Sequence, residues 1–418
     1  VFSTLANAWH VKDIRNRILF TIAMLFVFRA GSHIPVPGIN TTIIKQMINS
    51  GQLLGFFDVI SGGAFSNFTI FALSITPYVT SSIIIQLLTI AIPSWEEMAK
   101  SGEDGRKKLS QYTRYGTIIL AFVQAISMTF GLRRAVTEVN TFNLLIIAFT
   151  LTAGTAFLMW LGEQINEKGI GNGISMIIFA GIVSRVPGMF VTTYQYVKAG
   201  TTSIIGAIAY WFVILVMIAA IVYVSEGQRR IPIQYARRQV GRRMYGGQST
   251  HLPLMVNPTG MVPIIFAVSI LQFPLQIAAF FPNSGYAHFM TTWFNTGGVL
   301  YNVLDVLLII FFTFFYSAVV FNPEDVADNL KKYGGFIPGI RPGKPTSDYI
   351  SKIMNRLVMI GGVFLAIVTL VPTITMKITG LNLYFSGSAI LIAVGVALDT
   401  VKQLESQLVM RNYQGFLK

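Results

Sequence analysis

The chain has 418 residues, 53% of them hydrophobic and only 11% charged, with a mean hydropathy of +0.62. Soluble domains carry about a quarter charged residues, so this composition excludes an ordinary soluble protein and points to a polytopic membrane protein. The formal charge of +14 leaves nucleic acid, anionic lipid and membrane topology open as its cause, while the absence of Cys excludes disulfides, thiolate metal sites and a thiol nucleophile.

Apolar runs long enough to cross about 30 Å of hydrocarbon fall near 18–34, 69–92, 113–131, 142–162, 172–190, 203–224, 259–281, 300–321, 353–372 and 385–404. The first follows "KDIRNR" and is followed by "HIPVPG" where a small-residue cleavage site would stand, so it reads as an uncleaved span. Next comes "PVPGINTTIIKQMINSGQLLGFFDVISGGAFSN", apolar enough to fold back into the protein. Irregular backbone at membrane depth is tolerable only where protein covers it or it lines a wet cavity. Residues 55–71, with Asp58 and the pair Gly62-Gly63, are therefore expected inside a cavity.

Four segments concentrate the basic residues: the N-terminal stretch with Lys12, Arg15 and Arg17, then Lys100 to Arg114, Glu226 to Arg243, and Asp328 to Lys344. With ten spans all four fall on one face, and the positive-inside rule makes that face cytoplasmic, with both termini. The intervening loops hold only scattered charges such as Lys45, Arg133, Arg134, Lys198 and Lys377. Two basic loops are long, 225–258 and 322–352, and their Gly, Pro and Arg content reads as ordered projections. Ten spans divide into two sets of five, and an odd number inverts one set relative to the other, an arrangement that commonly flanks a central pathway. The expected fold is thus an all-α polytopic membrane protein, with ten transmembrane helices in two inverted five-helix halves around a central pore, residues 1–190 and 191–418.

Chemistry is sparse at mid-span. Arg29, Glu163, Asp305, Arg356 and Asp399 fall near span ends, where snorkelling to the interface is the expected behaviour. No HExxH, GxSxG, intramembrane carboxylate pair or Walker-type loop occurs, so no catalysis, metal site or cofactor is expected and any nucleotide hydrolysis must come from a partner. The basic run "QRRIPIQYARRQVGRR" either fixes topology or docks RNA phosphates or an acidic protein surface. Arg341 sits in "GIRPGK", a Gly/Pro-rigidified turn suited to a fixed contact.

Four stretches, "GQRRIPIQYARRQVGRRMYGGQSTHLPLMVN", "FNPEDVADNLKKYGGFIPGIRPG", "WLGEQINEKGIGNGISMIIFAGIV" and "ITPYVTSSIIIQLL", are long and collinear, and through them the chain resembles the bacterial SecY family, channel subunits of the protein-translocation machinery. The resemblance implies a plug near 55–66, with Phe57, Asp58, Val59, Ile60 and Ser61 at its core and Gly62 and Gly63 as a hinge. It implies a pore ring of Ile75, Val79, Ile174, Ile178, Ile265 and Ile392, and a lateral gate between spans two and three and spans seven and eight. Thr80, Gln86, Asn172 and Phe273 match gate-lining positions. It implies docking of a SecA-like motor ATPase or a ribosome on Arg229, Arg230, Arg237, Arg238, Arg242, Arg243, Lys331, Lys332 and Arg341. Small SecE-like and SecG-like subunits, anionic lipids, and secretory and membrane-protein substrates with signal sequences complete the implied partners.

A narrow aliphatic ring offers ions no hydrogen bonds, so it resists their flow by dewetting while gripping a passing chain nowhere. An ion-coupled solute transporter with inverted repeats would also have ten spans, with "GNGISM" as its one tempting unwound segment. A membrane-integrated enzyme acting on a lipid phosphate would need acid–base groups at the interface, and their scarcity weighs against it.

Overall fold

The structure, a computed structural model, describes residues 8–44, 61–235, 238–240, 243–245, 249–280, 284–294, 298–381 and 386–415. Its helices are α1 (Lys12–Gly31), α2 (Thr76–Ala91), α3 (Pro93–Lys100), α4 (Glu103–Gly131), α5 (Thr141–Lys168), α6 (Gly173–Lys198) and α7 (Ile204–Glu226) in the first part. The second part holds α8 (Val262–Phe280), α9 (Gly285–Trp293), α10 (Val299–Val320), α11 (Pro323–Lys332), α12 (Lys344–Thr379) and α13 (Gly387–Gly415). Five strands join them: β1 (Gln228–Tyr235), β2 (Arg238–Val240), β3 (Arg243–Tyr245), β4 (Ser249–Met255) and β5 (Gly335–Phe336).

Each of the ten expected spans has its helix, but the second is shorter than its apolar run. Residues 61–75 form turns, and α2 begins at Thr76 with Pro77 in its first turn. Proline pre-sets the φ that a first turn needs and has no amide hydrogen to waste there, so it marks a start that apolarity alone hides. The turns before it are tight. Phe68 and Ser74 take φ of +40° and +52°, left-handed conformations that L residues visit only when the surroundings over-determine them. Here the surroundings do so: Phe68 is buried with Phe65 and Ala72 against Val36, Ala125, Leu132, Ile147 and Leu151. The Val36 amide donates to the Phe68 carbonyl at 2.9 Å, and Thr69 bridges Pro35. The returning backbone passes so close to α5 that a Cβ on Gly154 would run into the Ile70 carbonyl oxygen.

Six helices, α5, α6, α7, α10, α12 and α13, are long and apolar enough to cross a membrane by themselves, and α2 joins them only as a pair with α3, bent by 103°. Helices α1 and α4 fall short. Helix α4 packs on α2 and α8 and buries Thr117, Gln124, Ser127 and Thr129 within the protein. A face packed on neighbouring helices has less need to be wholly apolar.

The two long basic loops depart from an all-helical reading. Strands β4, β1 and β5 form one antiparallel sheet, so the loop before α8 and the loop before α12 share backbone hydrogen bonds. Strand β1 reads apolar-in, polar-out: Ile231 and Ile233 are buried, while Arg230, Pro232 and Gln234 face out. The inner face packs Ile231, Leu254 and Ile337 on Ile350, Ile353, Met354 and Leu357 of α12. At the chain's two ends Ala8 and Ile14 cluster with Ile170 and Leu404, which brings the start of α1 and the end of α13 to one face.

Candidate functional site

The six residues expected to form an apolar ring come from four separate segments: Ile75 and Val79 at the start of α2, Ile174 and Ile178 on α6, Ile265 on α8, and Ile392 on α13. All six fall in one continuous hydrophobic cluster, with Ile75, Ile174, Ile178 and Ile392 buried and Val79 and Ile265 half-buried against them. Ala64, from the turn that follows Gly63, is buried in the same cluster.

That turn is tied down from two helices. Gly62 and Gly63 adopt φ of +65° and +92°, open to glycine and strained for any other residue. From α1, Arg29 Nη1 donates to the Gly62 carbonyl at 2.6 Å. From α6, Arg185 Nη2 donates to Ser66 Oγ at 3.4 Å, and a Cβ on Gly63 would meet its guanidinium at 3.2 Å. On the same helix Gly181 lies so near that a Cβ on Gly62 would sit 2.8 Å from its Cα. Arg29 therefore turns inward to a backbone carbonyl instead of snorkelling. Ser61 is buried, whereas Phe57, Asp58, Val59 and Ile60 lie outside the described residues.

A cavity of about 340 Å³ opens where α2 and α4 meet α8 and α10. One wall carries Ser82, Gln86 and Thr89 of α2 with Ser110 and Thr113 of α4, and the other is apolar and aromatic, with Phe266, Phe315, Tyr316, Val319 and Val320. Gln86 thus lines this cavity. Thr80 is half-buried and spends its hydroxyl on the Thr76 carbonyl of its own helix at 3.0 Å. Ser82 and Thr89 escaped the sequence reading, although with Gln86 they make a polar stripe at i, i+4 and i+7 on an otherwise apolar helix. The α2–α4 side is pinned by Ser81 Oγ donating to the Thr113 carbonyl at 2.9 Å. The Phe273 side chain lies outside the described residues.

Asn172 does not line this cavity. Its Oδ1 caps α6 by accepting from the Ser175 amide at 3.2 Å, at a turn that meets α13 rather than α8 or α10. There the Gly171 amide donates to Gln403 Oε1 at 2.7 Å, and Thr400 Oγ1 lies 3.5 Å from Met176 Sδ. The Ile170 amide donates to Thr21 Oγ1 of α1 at 2.9 Å. Of the other ionisable residues expected to snorkel, Arg356 and Asp399 are exposed, and Glu163 accepts from Arg114 Nε at 2.6 Å. Asp305 departs from expectation: only 8% exposed, its Oδ1 is buried with no hydrogen-bond partner among the described residues.

Among the expected docking residues Arg229 and Arg230 are exposed on β1, Lys331 and Lys332 on the last turn of α11, and Arg341 in the turn before α12. Arg341 is held by its carbonyl, which accepts from Thr346 Oγ1 at 2.8 Å. Arg238 and Arg243 occupy the paired strands β2 and β3, their side chains outside the described residues, as are Arg237 and Arg242 altogether. Among the described residues no group of three or more potential metal ligands occurs.

Ten span helices around an apolar cluster, with a cavity where α2 and α4 meet α8 and α10 and a turn fastened between α1 and α6, define a polytopic membrane protein. A family model described as SecY matches residues 69–401. The protein translocase subunit SecY of Bacillus licheniformis is 46% identical over 431 residues, covering 100% of both chains. That of Thermotoga maritima is 44% identical over 425 residues, covering 99% of this chain and 97% of its own. The chain belongs to the SecY family. Among solved structures, one described as a protein-conducting channel superposes with a TM-score of 0.67 at 18% identity, covering 94% of this chain and 92% of its own. A second, of Sec61 in a canine ribosome–channel complex, gives 0.62 at 17% identity with coverages of 94% and 92%. At such identities these two speak for the fold.

Proposed function

We propose that this chain is the protein-conducting subunit of a bacterial translocase, passing unfolded polypeptides across the plasma membrane and releasing apolar helices sideways into it. Beyond family membership, the observation that carries this reading is the shared cluster: six branched aliphatics from α2, α6, α8 and α13 fall within it, together with Ala64 of the tethered turn. Such a ring resists ion flow without holding a passing chain. The seam beside it supplies the exit. A signal sequence or nascent span is an apolar helix, and each leucine-like residue favours lipid by a few tenths of a kcal/mol, roughly 0.3–0.6 on the insertion scale. Ser82, Gln86 and Thr89 on one wall weaken the apolar seal and set how readily the seam parts.

In this reading residues 1–190 and 191–418 are the two inverted halves, and segment 55–66 is the plug. The basic loops face the cytoplasm with both termini. The sheet β4–β1–β5 presents Arg229 and Arg230, and the neighbouring turns present Lys331, Lys332 and Arg341, to a SecA-like motor or a ribosome. Guanidinium forks suit ribosomal phosphates and motor carboxylates alike. SecE-like and SecG-like subunits brace the assembly. The protein performs no chemistry of its own, and direction comes from the motor or from chain elongation. The solute-transporter alternative falls with the family assignment.

Because the chain has no cysteine, Ile392→Cys paired with a single cysteine in a stalled secretory precursor tests the path directly. A disulfide at Ile392→Cys, and none at lipid-facing Leu307→Cys, is the expected result. An unlinked ring in a complex that still holds the precursor would overturn the pore assignment.

A further inference from the structure

Residues 244–304 contain no Lys, Arg, Asp or Glu. This stretch includes the whole connection between α8 and α10 on the face opposite the basic loops. Other elements at that face carry charges, among them Arg133, Arg134, Lys198 and Lys377. Within the uncharged connection stands α9, started by Ser284, whose Oγ accepts from the Ala287 amide at 3.1 Å. One side of α9 is used for packing: Ala287 and Met290 are buried with Ala278 of α8. Tyr286, Phe289 and Trp293, at i, i+3 and i+7, share an adjoining stripe. All three are exposed, Trp293 by 56%, and the rings of Phe289 and Trp293 lie 6.5 Å apart.

Three adjacent exposed aromatics on nine uncharged residues are a poor surface for water. On α10, the next helix in the chain, Val299, Val303, Leu307 and Phe311 form an exposed apolar row at four-residue spacing along the span. Tyrosine and tryptophan favour the headgroup level, where an apolar ring and a polar tip are both satisfied. We propose that the Tyr286–Phe289–Trp293 face of α9 docks into the phospholipid interface on the side opposite the basic loops. Tyr286 also donates its hydroxyl to the carbonyl of Pro274 at 3.0 Å, inside α8 at the residue that interrupts that helix. The docked helix thereby fastens one wall of the seam to a leaflet. The docking itself stands whether or not the seam is a gate.

The test places a nitroxide on Phe289→Cys, unique in this chain, in the translocase assembled with cysteine-free partner subunits. The complex is reconstituted in phosphatidylethanolamine and phosphatidylglycerol vesicles. Collisions with oxygen and with a nickel chelate are compared with those at lipid-facing Val303→Cys and water-facing Tyr333→Cys. An oxygen excess between the two controls is expected, as for a label at headgroup depth. Nickel collisions as frequent as at Tyr333→Cys would mean that the stripe faces solvent, and low collision rates with both reagents would mean that a protein subunit covers it. Either result overturns the proposal. Trp293→Cys, on the same stripe, provides the same reading if Phe289→Cys does not assemble.

Discussion

At the scale of single residues, the turn at 61–66 is held by contacts to Arg29 and Arg185 that can be removed separately. Arg29 makes a charge-assisted bond to the Gly62 carbonyl, an interaction worth about 1.5–3 kcal/mol. Arg29→Gln should therefore loosen the turn, and the expected readout is a rise in ion leakage through reconstituted channels with no substrate engaged. Gly62→Ala should leak as well, because the new methyl would demand a left-handed conformation and press on Gly181, at a cost of order 1–3 kcal/mol. Leakage unchanged in both variants would disconnect this turn from the seal. Asp305 invites the opposite experiment. A buried carboxylate oxygen without a partner costs about 1–3 kcal/mol or more, so Asp305→Leu should raise the thermal unfolding midpoint in detergent. A fall would show that the carboxylate has a partner worth keeping.

At the scale of elements, the apolar runs revealed where helices cross, because about twenty apolar residues in sequence leave a membrane chain few alternatives. They misjudged where the second span begins. The turn residues 69–75 are as apolar as a helix, and only Pro77 announces the start, a local signal overshadowed by the length of the run. Ser82 and Thr89 were legible as a stripe with Gln86 but gained meaning only once α8 and α10 stood opposite. The inward turn of Arg29 and the burial of Asp305 had no sequence signal, since both depend on which neighbour a helix face meets. The family motifs selected the ring residues, and the structure gathers those residues in one cluster; apolar composition could not have singled them out from their neighbours. Helix contacts also turn on single atoms: a Cβ on Gly173 would strike the Gly162 carbonyl oxygen where α5 gives way to α6. Overpacking of this kind costs about 1–3 kcal/mol. Gly173→Ala should lower the unfolding midpoint, and an unchanged midpoint would show that the turn at 169–172 yields freely.

At the scale of the whole molecule, the shared sheet makes the two basic loops one body. A partner that pushes on the loop before α12 also pushes on the loop before α8, the helix that lines the seam. Ile233→Asp would place a charge in the sheet's buried face. It should weaken binding of a SecA-like motor, measured on nanodisc-held complexes, while leaving ion leakage without substrate at its original level. Motor binding that survives with the sheet disrupted would separate docking from this platform.

The two lines along which the first five spans meet the last five differ in chemistry. Between α6 and α13 lies a hydrogen bond from Gly171 to Gln403 and a contact from Thr400 to Met176. Between α2 with α4 and α8 with α10 lies a cavity. In the proposed reading the edge that holds the cavity is the one that parts, and the hydrogen-bonded edge serves as its axis of rotation. Displacement grows with distance from that axis, so a slight turn at Gln403 becomes the widest gap at Gln86. A guest helix entering there acts at the long end of a lever, where the least force moves the most protein.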